Sequence, residues 1–136
     1  MERKVNRIVN APGLAEPVGF AHAVVAGPGR TVYLGGQTAQ DANGRIVGST
    51  VAEQFDQAAG NVVTALAAAG ASPEQLVSLV IYTTDVPAYK AALTELGPVW
   101  RKHFGRHYPA VALLGVAALF DEEAMVELVG TAVMPA

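Results

Sequence analysis

The chain has 136 residues, of which 51% are hydrophobic and 15% charged, and its formal net charge is −3. That length suits one domain around one core. No tract of Lys and Arg offers the positive surface that binding to nucleic acid or to an anionic membrane requires, so neither partner is expected. Cysteine is absent, which excludes disulfides, thiolate metal sites and cysteine nucleophiles.

Two further expectations follow from the distribution of apolar residues. A compact monomer covers much of its surface with polar groups, so the high apolar fraction predicts contact with another subunit. The first ten residues, MERKVNRIVN, carry charges and no apolar signal-peptide region, and no run of about 18 apolar residues occurs. We therefore expect a cytoplasmic protein.

The first part of the chain predicts strands separated by glycine-rich turns. Val5–Val9 is a first candidate, and Val18–Ala26 is a second. The second ends at Gly27-Pro28-Gly29, and Thr31–Leu34 follows so closely that the two predict a hairpin. Asp41-Ala42-Asn43-Gly44 has the composition of another turn.

Residues Ser49–Ala69 change to a helical period. Thr50 and Glu53 fit a capping box, and Gly70 marks the helix end. The apolar residues at helical spacing are Val51, Phe55, Ala58, Ala59, Val62, Leu66 and Ala69. Ser72-Pro73-Glu74-Gln75 predicts a single turn before a central strand at Leu76–Thr84.

The last part of the chain predicts helix and then strands. Pro87–Phe104 is interrupted by Gly97-Pro98, which predicts two short helices. Ala110–Leu119 and Met125–Met134 predict strands joined by an acidic turn. The order β-β-β-α-β-α-β-β favours one α+β domain, residues 1–136, with helices on one face of a sheet.

Four short segments and the long helix carry a recognisable pattern. The segments are Phe20-Ala21-His22-Ala23-Val24, Val32-Tyr33-Leu34-Gly35-Gly36-Gln37, Tyr108-Pro109-Ala110-Val111 and Val126-Glu127-Leu128, and the helix adds Gln54, Asn61 and Ala68-Ala69-Gly70. Over almost the whole chain this pattern resembles the RidA (YjgF) family. There the four segments correspond to Tyr-Ser-x-Ala, a strand ending Ser-Gly-Gln, Pro-Ala-Arg-[Ser/Thr] and Val-Glu-[Ile/Leu].

The resemblance implies a chorismate-mutase-like α+β subunit in a homotrimer, with sheets lining a central barrel and ligand clefts between neighbours. Family members with the full motif hydrolyse enamines and imines made by pyridoxal-phosphate enzymes, releasing ammonia and a 2-keto acid. In them the glutamate at the position of Glu127 orients the attacking water, and the glycine at Gly36 gives the backbone room beside the ligand. Glu127 is therefore the candidate catalytic residue, and no cofactor is expected.

Most other positions of the family site are substituted. The arginine that holds the substrate carboxylate is Val111, whose isopropyl group cannot donate two hydrogen bonds to an anion. The family's tyrosine is Phe20, its strand serine is Gly35, and the serine beside the tyrosine is Ala21. Three hydroxyl groups are thereby lost, so the resemblance implies a changed substrate range.

Each candidate has a structural alternative. A carboxylate in an apolar strand is costly unless it is paired or faces a wet cleft, so Glu127 would otherwise pair with Arg101, Arg106 or a neighbour's cation. Gly35-Gly36 would otherwise form a bulge or a tight turn. His22, beside the cleft position Phe20, would either face the ligand or serve as a satisfied structural histidine.

Histidines and aromatic residues give a weaker signal. His103 and His107 are four apart, but glycine and proline interrupt a helix through them and no carboxylate lies between, so no metal site is expected. Tyr89, Trp100 and Phe104 are predicted to pack between helices, with a cleft wall as the alternative for Tyr89 and Trp100.

Three functions remain for this sequence. The first is a cleft enzyme for a small enamine, imine or related carbonyl compound, with Glu127 positioning water. The second is a non-catalytic trimer that binds a metabolite or a partner in the same cleft. The third, an RNA-cleaving or translation-inhibiting role, gains no support from an acidic chain without a basic stripe.

Overall fold

The computed structural model describes residues 5–136, which form six strands and three helices. The strands are β1 Arg7–Val9, β2 Ala23–Val25, β3 Arg30–Tyr33, β4 Leu76–Thr83, β5 Ala110–Gly115 and β6 Val126–Met134. The helices are α1 Val51–Ala68, α2 Val86–Ala91 and α3 Leu93–Phe104, with a single 3-10 turn at Pro73–Gln75. Within the described part of the chain, no helix is long and apolar enough to cross a membrane.

The predicted helix at Ser49–Ala69 is confirmed by α1. The Thr50 hydroxyl accepts a hydrogen bond from the Glu53 N–H at 3.1 Å, and Gly70 ends the helix with a φ of +83°. Gly60 lies where α1 meets α3. A Cβ at this glycine would lie 3.4 Å from Cε1 of His103, so the small residue permits close packing of the two helices.

The main sheet has the order β3-β6-β4-β5, with β4 parallel to β5 and the other neighbours antiparallel. One face is covered by α1 and α3, as predicted. The largest buried side chains of this layer are Phe55, Val62, Leu66, Leu76, Leu79, Val126 and Leu128. No helix of the described residues covers the opposite face, which we call the open face and which carries the alternate residues of β4 and β6.

The predicted hairpin of the second and third strands is wrong. β2 pairs with β1, where Val24 lies opposite Ile8, and β3 pairs with β6, where Val32 lies opposite Ala132. β6 is the longest strand and bonds on both sides, so β3 completes its second edge instead of turning back on β2. The connecting residues turn the chain away at Gly27, whose φ is +82°. The predicted single sheet is therefore accompanied by a separate two-stranded sheet.

Two helices follow β4, as predicted, but the break was placed wrongly. It lies at Ala92, and Pro98 lies inside α3. The proline removes one backbone hydrogen bond. Burial of the α3 side chains offsets that loss, because Trp100 stacks on Phe55 with ring centroids 6.4 Å apart.

Three predicted strands are also clearly shorter than expected, and the first of them, Val5–Val9, yields only Arg7–Val9. The stretch Val18–Ala26 yields only Ala23–Val25, because its earlier part makes a single bridge, from Ala21 to Ala110. The stretch Ala110–Leu119 ends as a strand at Gly115, opposite the last residue of its partner β4.

Candidate functional site

Gly36 and Glu127 lie side by side. Backbone bonds between Gln37 and Leu128, both 2.9 Å long, join the segment after β3 to β6. This pairing brings Gly36 so close to the carboxylate that a Cβ there would lie 2.6 Å from Oε2 of Glu127. The preceding Gly35 is exposed, and its carbonyl accepts a hydrogen bond from Nε2 of Gln37. A residue without a side chain is therefore required at position 36 for the carboxylate to hold this place.

The Glu127 carboxylate lies on the open face of the sheet. Its neighbours Val126 and Leu128 are fully buried on the helix side, whereas Glu127 is half-buried and lies opposite Tyr82 of β4. Among residues 5–136, Glu127 forms no ion pair, so the alternative of pairing with Arg101 or Arg106 is not observed there.

A second group of predicted residues lies at the other edge of the sheet, along β5. The Ala21 N–H donates to the Pro109 carbonyl at 2.9 Å, which places Phe20 beside this edge with 38% of its surface exposed. The His22 ring lies 5.9 Å from that of Phe20.

Both ring nitrogens of His22 bond to the backbone. Nδ1 accepts from the Ala11 N–H and Nε2 contacts the Ala15 carbonyl, each at 2.9 Å. This geometry favours a structural role for His22, whose ring stabilises the conformation of residues 11–15 through these two hydrogen bonds.

Val111 points away from Glu127. Its register partner in β4 is Leu79, and its side chain packs against the helix-covered core. The start of β5 lies two strands away from β6 and is level with Thr131, four residues beyond Glu127. The spacing between strands and the rise per residue then put the start of β5 roughly 16 Å from Glu127. One chain therefore brings Gly35, Gly36 and Glu127 together, but separates them from Phe20, His22 and Val111.

A buried amide positions the strand that carries Glu127. Gln54 of α1 is 1% exposed, and its Nε2 donates to the carbonyls of Gly48 at 3.2 Å and Glu123 at 2.8 Å. Its Oε1 accepts from the Met125 N–H at 2.8 Å, and the Thr83 hydroxyl donates to the Met125 carbonyl at 2.9 Å. The start of β6 is thus held from both sides, two residues before the candidate carboxylate.

Asn61 of α1 positions the segment after Gly36 through hydrogen bonds to its backbone. Its Nδ2 donates to the carbonyls of Thr38 at 3.0 Å and Gln40 at 2.8 Å. In the sequence, Gln54 and Asn61 stood out only as part of the family resemblance. Gln54 could also have been found as a polar residue on an otherwise apolar helix face. Tyr82 was missed, because nothing local distinguishes it from a strand residue.

The predicted packing role of the aromatic residues is confirmed. Tyr89 packs edge-on against Phe55 at 6.3 Å, and burial raises the pKa of its phenol to about 12. Trp100 stacks on Tyr108 at 5.6 Å and donates to the carbonyl of His107 at 3.1 Å. These rings belong to the helix layer.

The remaining histidines contact separate partners. His103 hydrogen-bonds to the Asp56 carboxylate, and Nε2 of His107 bonds to the Leu76 carbonyl at 2.7 Å. The bond from His103, followed by the contact with Lys102, holds the pKa of Asp56 below its usual value despite some burial. In residues 5–136, no three His, Cys, Asp or Glu side chains gather where they could hold a metal ion.

Comparison with known proteins agrees with this fold. The model of the family described as Endoribonuclease L-PSP matches residues 11–134. Human 2-iminobutanoate/2-iminopropanoate deaminase is 30% identical over 118 residues, covering 86% of this chain and 80% of the relative. The chain belongs to the RidA (YjgF) family.

Solved structures of RidA-family proteins share the fold. A Rid-family protein of unknown function, YyfB from Yersinia pestis, has a TM-score of 0.86 at 32% identity. The similarity covers 96% of this chain and 100% of YyfB. RidA from an Antarctic Psychrobacter has a TM-score of 0.67 at 26% identity, covering 97% and 100%. The chain thus has the chorismate-mutase-like α+β fold that the resemblance implied.

Proposed function

We propose that this RidA-family chain hydrolyses a small imine, enamine or related carbonyl compound in a cleft where Glu127 positions the water. One observation carries the proposal: a half-buried carboxylate without an ion pair among the described residues, beside a glycine that leaves room for it. Unpaired carboxylates in such settings are costly and concentrate at functional sites. The name of the human relative, an imine deaminase, supports the same class of reaction.

The chemistry needs one proton carrier. Glu127 accepts a proton from water as the water oxygen bonds to the imine carbon, and the proton then passes to the nitrogen. The same carboxylate then takes the proton of the new hydroxyl group and passes it to the nitrogen; the carbon–nitrogen bond breaks, ammonia leaves, and the carbon becomes a carbonyl. An imine and one water are thus converted to a ketone or aldehyde and one ammonia, without an oxidant.

The substrate range follows from Val111, Phe20 and Gly35. Bidentate donors are the usual means of holding a carboxylate, and none of these three side chains supplies one. We therefore propose that the preferred substrate lacks a carboxylate next to the imine carbon.

A homotrimer would complete the cleft. Phe20 and Val111 lie at the β5 edge, and Gly36 and Glu127 lie toward the β3 edge, so one chain cannot bring the two groups together. In a closed ring, the β5 edge of one subunit would meet the β3 edge of the next. Light scattering at micromolar concentration should give three times the chain mass. A stable monomer would remove the shared cleft.

The test of the reaction measures ammonia release from a neutral N–H ketimine, that of acetophenone. Glu127→Gln keeps the size of the side chain and should lower the rate by about 100- to 10,000-fold, the usual contribution of a positioned base. Glu122→Gln, on the exposed turn before β6, is the matched control and should leave the rate unchanged. Equal rates for both variants would rule out a catalytic Glu127.

The non-catalytic alternative is a trimer that binds a metabolite in the same cleft. The observation that favours it is the loss of the family's arginine and three hydroxyls at Val111, Phe20, Gly35 and Ala21. This protein would show a thermal shift with small imines, enamines or keto compounds but no ammonia release.

A further inference from the structure

The open face places an unused phenol beside the candidate carboxylate. Tyr82 of β4 is the antiparallel register partner of Glu127, so the two side chains project from the same face. Directly opposed residues of antiparallel strands have Cβ atoms about 5 Å apart. Both side chains are half-buried, and anything that contacts the carboxylate is within reach of the phenol.

The Tyr82 hydroxyl makes no hydrogen bond with any of residues 5–136, whereas the hydroxyl of the adjacent Thr83 donates to the Met125 carbonyl. Next to Tyr82, in the same row across the sheet, lies Leu114 of β5, an apolar residue with 46% of its surface exposed. The row across the sheet therefore consists of a charged side chain at Glu127, a neutral hydrogen-bond donor at Tyr82 and an apolar side chain at Leu114.

Resting on the proposed function, we infer that Tyr82 is a ligand-binding residue whose phenol donates a hydrogen bond to an uncharged acceptor on the substrate of Glu127. A phenol is a neutral donor of one hydrogen bond. It suits a carbonyl, ester or amide oxygen, whereas a carboxylate is held best by the charged, forked donor that Val111 does not provide. The ligand class is thus a small imine or carbonyl compound with a neutral acceptor next to the reacting carbon.

The probes are 2-oxobutanoate and its methyl ester, which share the 2-oxobutanoyl group and differ in charge. Binding is measured by ligand-observed NMR on the natural chain, Tyr82→Phe and Tyr33→Phe. Tyr33 is the matched control, because it projects from the same sheet but pairs with Thr131, four residues from Glu127, and is 81% exposed. The strand rise puts it about 13 Å away.

The natural chain should bind the ester more tightly than the acid. Tyr82→Phe should weaken ester binding about three- to tenfold, the worth of one neutral hydrogen bond, and should leave binding of the acid unchanged. Tyr33→Phe should match the natural chain with both probes. Equal ester affinity of Tyr82→Phe and the natural chain would overturn the assignment of Tyr82, and so would the absence of any ester binding.

Glu127→Gln in the same experiment separates the two proposals. If Glu127→Gln abolishes ketimine hydrolysis while Tyr82→Phe binds the ester normally, only the role of Tyr82 is wrong. If Glu127→Gln hydrolyses the ketimine normally, the proposed reaction is wrong. A fall in ester binding specific to Tyr82→Phe, with an unchanged melting temperature, is the result that supports a binding role over a structural one.

Discussion

Gln54 and Glu127 are both polar residues with apolar neighbours, but they differ in burial and in hydrogen bonding. Gln54 is fully buried, and its amide makes three hydrogen bonds to the backbone. Glu127 is half-buried and makes no ion pair within residues 5–136. Satisfied polar groups contribute to the fold, whereas a polar group without a partner needs another explanation. The comparison separates the residue that builds the site from the residue that would act in it.

The largest effect on stability is expected at Gln54. Gln54→Leu keeps the side-chain volume but leaves the Met125 N–H and the carbonyls of Gly48 and Glu123 without their partner. The free energy of unfolding should fall by about 2–4 kcal/mol. Urea denaturation measures it, with Glu127→Gln as the comparison, for which the change should stay within about 0.5 kcal/mol. Equal losses of unfolding free energy in the two variants would contradict the distinction between a structural Gln54 and a functional Glu127.

A smaller effect, on ligand binding, is expected at Gly36. In Gly36→Ala the new Cβ would lie 2.6 Å from Oε2 of Glu127, so the carboxylate must move. Affinity for the ester probe should fall about tenfold, equivalent to about 1.4 kcal/mol. Gly13→Ala is the control, since no atom lies within 4 Å of the added methyl group. Unchanged affinity in Gly36→Ala would show that the position of the carboxylate does not matter.

The smallest effect concerns the contact of Asp56 with His103 and Lys102. The pKa of Asp56 is lowered from 3.8 in the folded chain, chiefly by the bond from His103. The pair therefore stabilises the fold fully above pH 3.8, and this contribution is lost as the pH falls through the folded pKa below that value. Asp56→Asn should cost less than about 1 kcal/mol at pH 7, because the Asp56 carboxylate and Lys102 are exposed to solvent. Urea denaturation across pH 2–7 should show a reduced acid dependence in Asp56→Asn, and an identical dependence would contradict the assignment.

Local signals predicted α1, β4 and the helical packing of Trp100, because caps and apolar periods are local properties. The partner of β3 was not predictable in the same way. A short connection suggested β2, but pairing depends on which strand has a free edge, and β6 is distant in sequence. The break at Ala92 was missed because tertiary packing of α3 outweighed the local effect of Pro98.

The candidate site was predictable in parts. Resemblance singled out Glu127 and Gly36, and the structure brings them together. Their separation from Phe20 and Val111 depends on the side of the strand and the sheet order, which no motif contains. Tyr82 became a candidate only through its register with Glu127.

The exchange Val111→Arg tests whether position 111 determines the substrate range. An arginine at 111 should improve hydrolysis of 2-iminobutanoate, but not fully, since Phe20, Gly35 and Ala21 still lack hydroxyls. The measurement is the ratio of kcat/KM for 2-iminobutanoate between Val111→Arg and the natural chain. No improvement, in a variant that still hydrolyses the neutral ketimine, would show that position 111 does not face the bound substrate.

We propose that Glu127 acts in a cleft that lacks a residue to hold a substrate carboxylate, and one rate measurement can refute this proposal. That measurement is ammonia release by the natural chain and by Glu127→Ala from two substrates, 2-iminobutanoate and the neutral acetophenone ketimine. Loss of one partner of a desolvated charge pair costs about 2–5 kcal/mol, or roughly 30- to 5,000-fold in rate. The natural chain should hydrolyse the neutral ketimine and should hydrolyse 2-iminobutanoate only slightly, and Glu127→Ala should lose the activity. Robust hydrolysis of 2-iminobutanoate, abolished by Glu127→Ala, would contradict the proposal, because another residue would then hold the carboxylate.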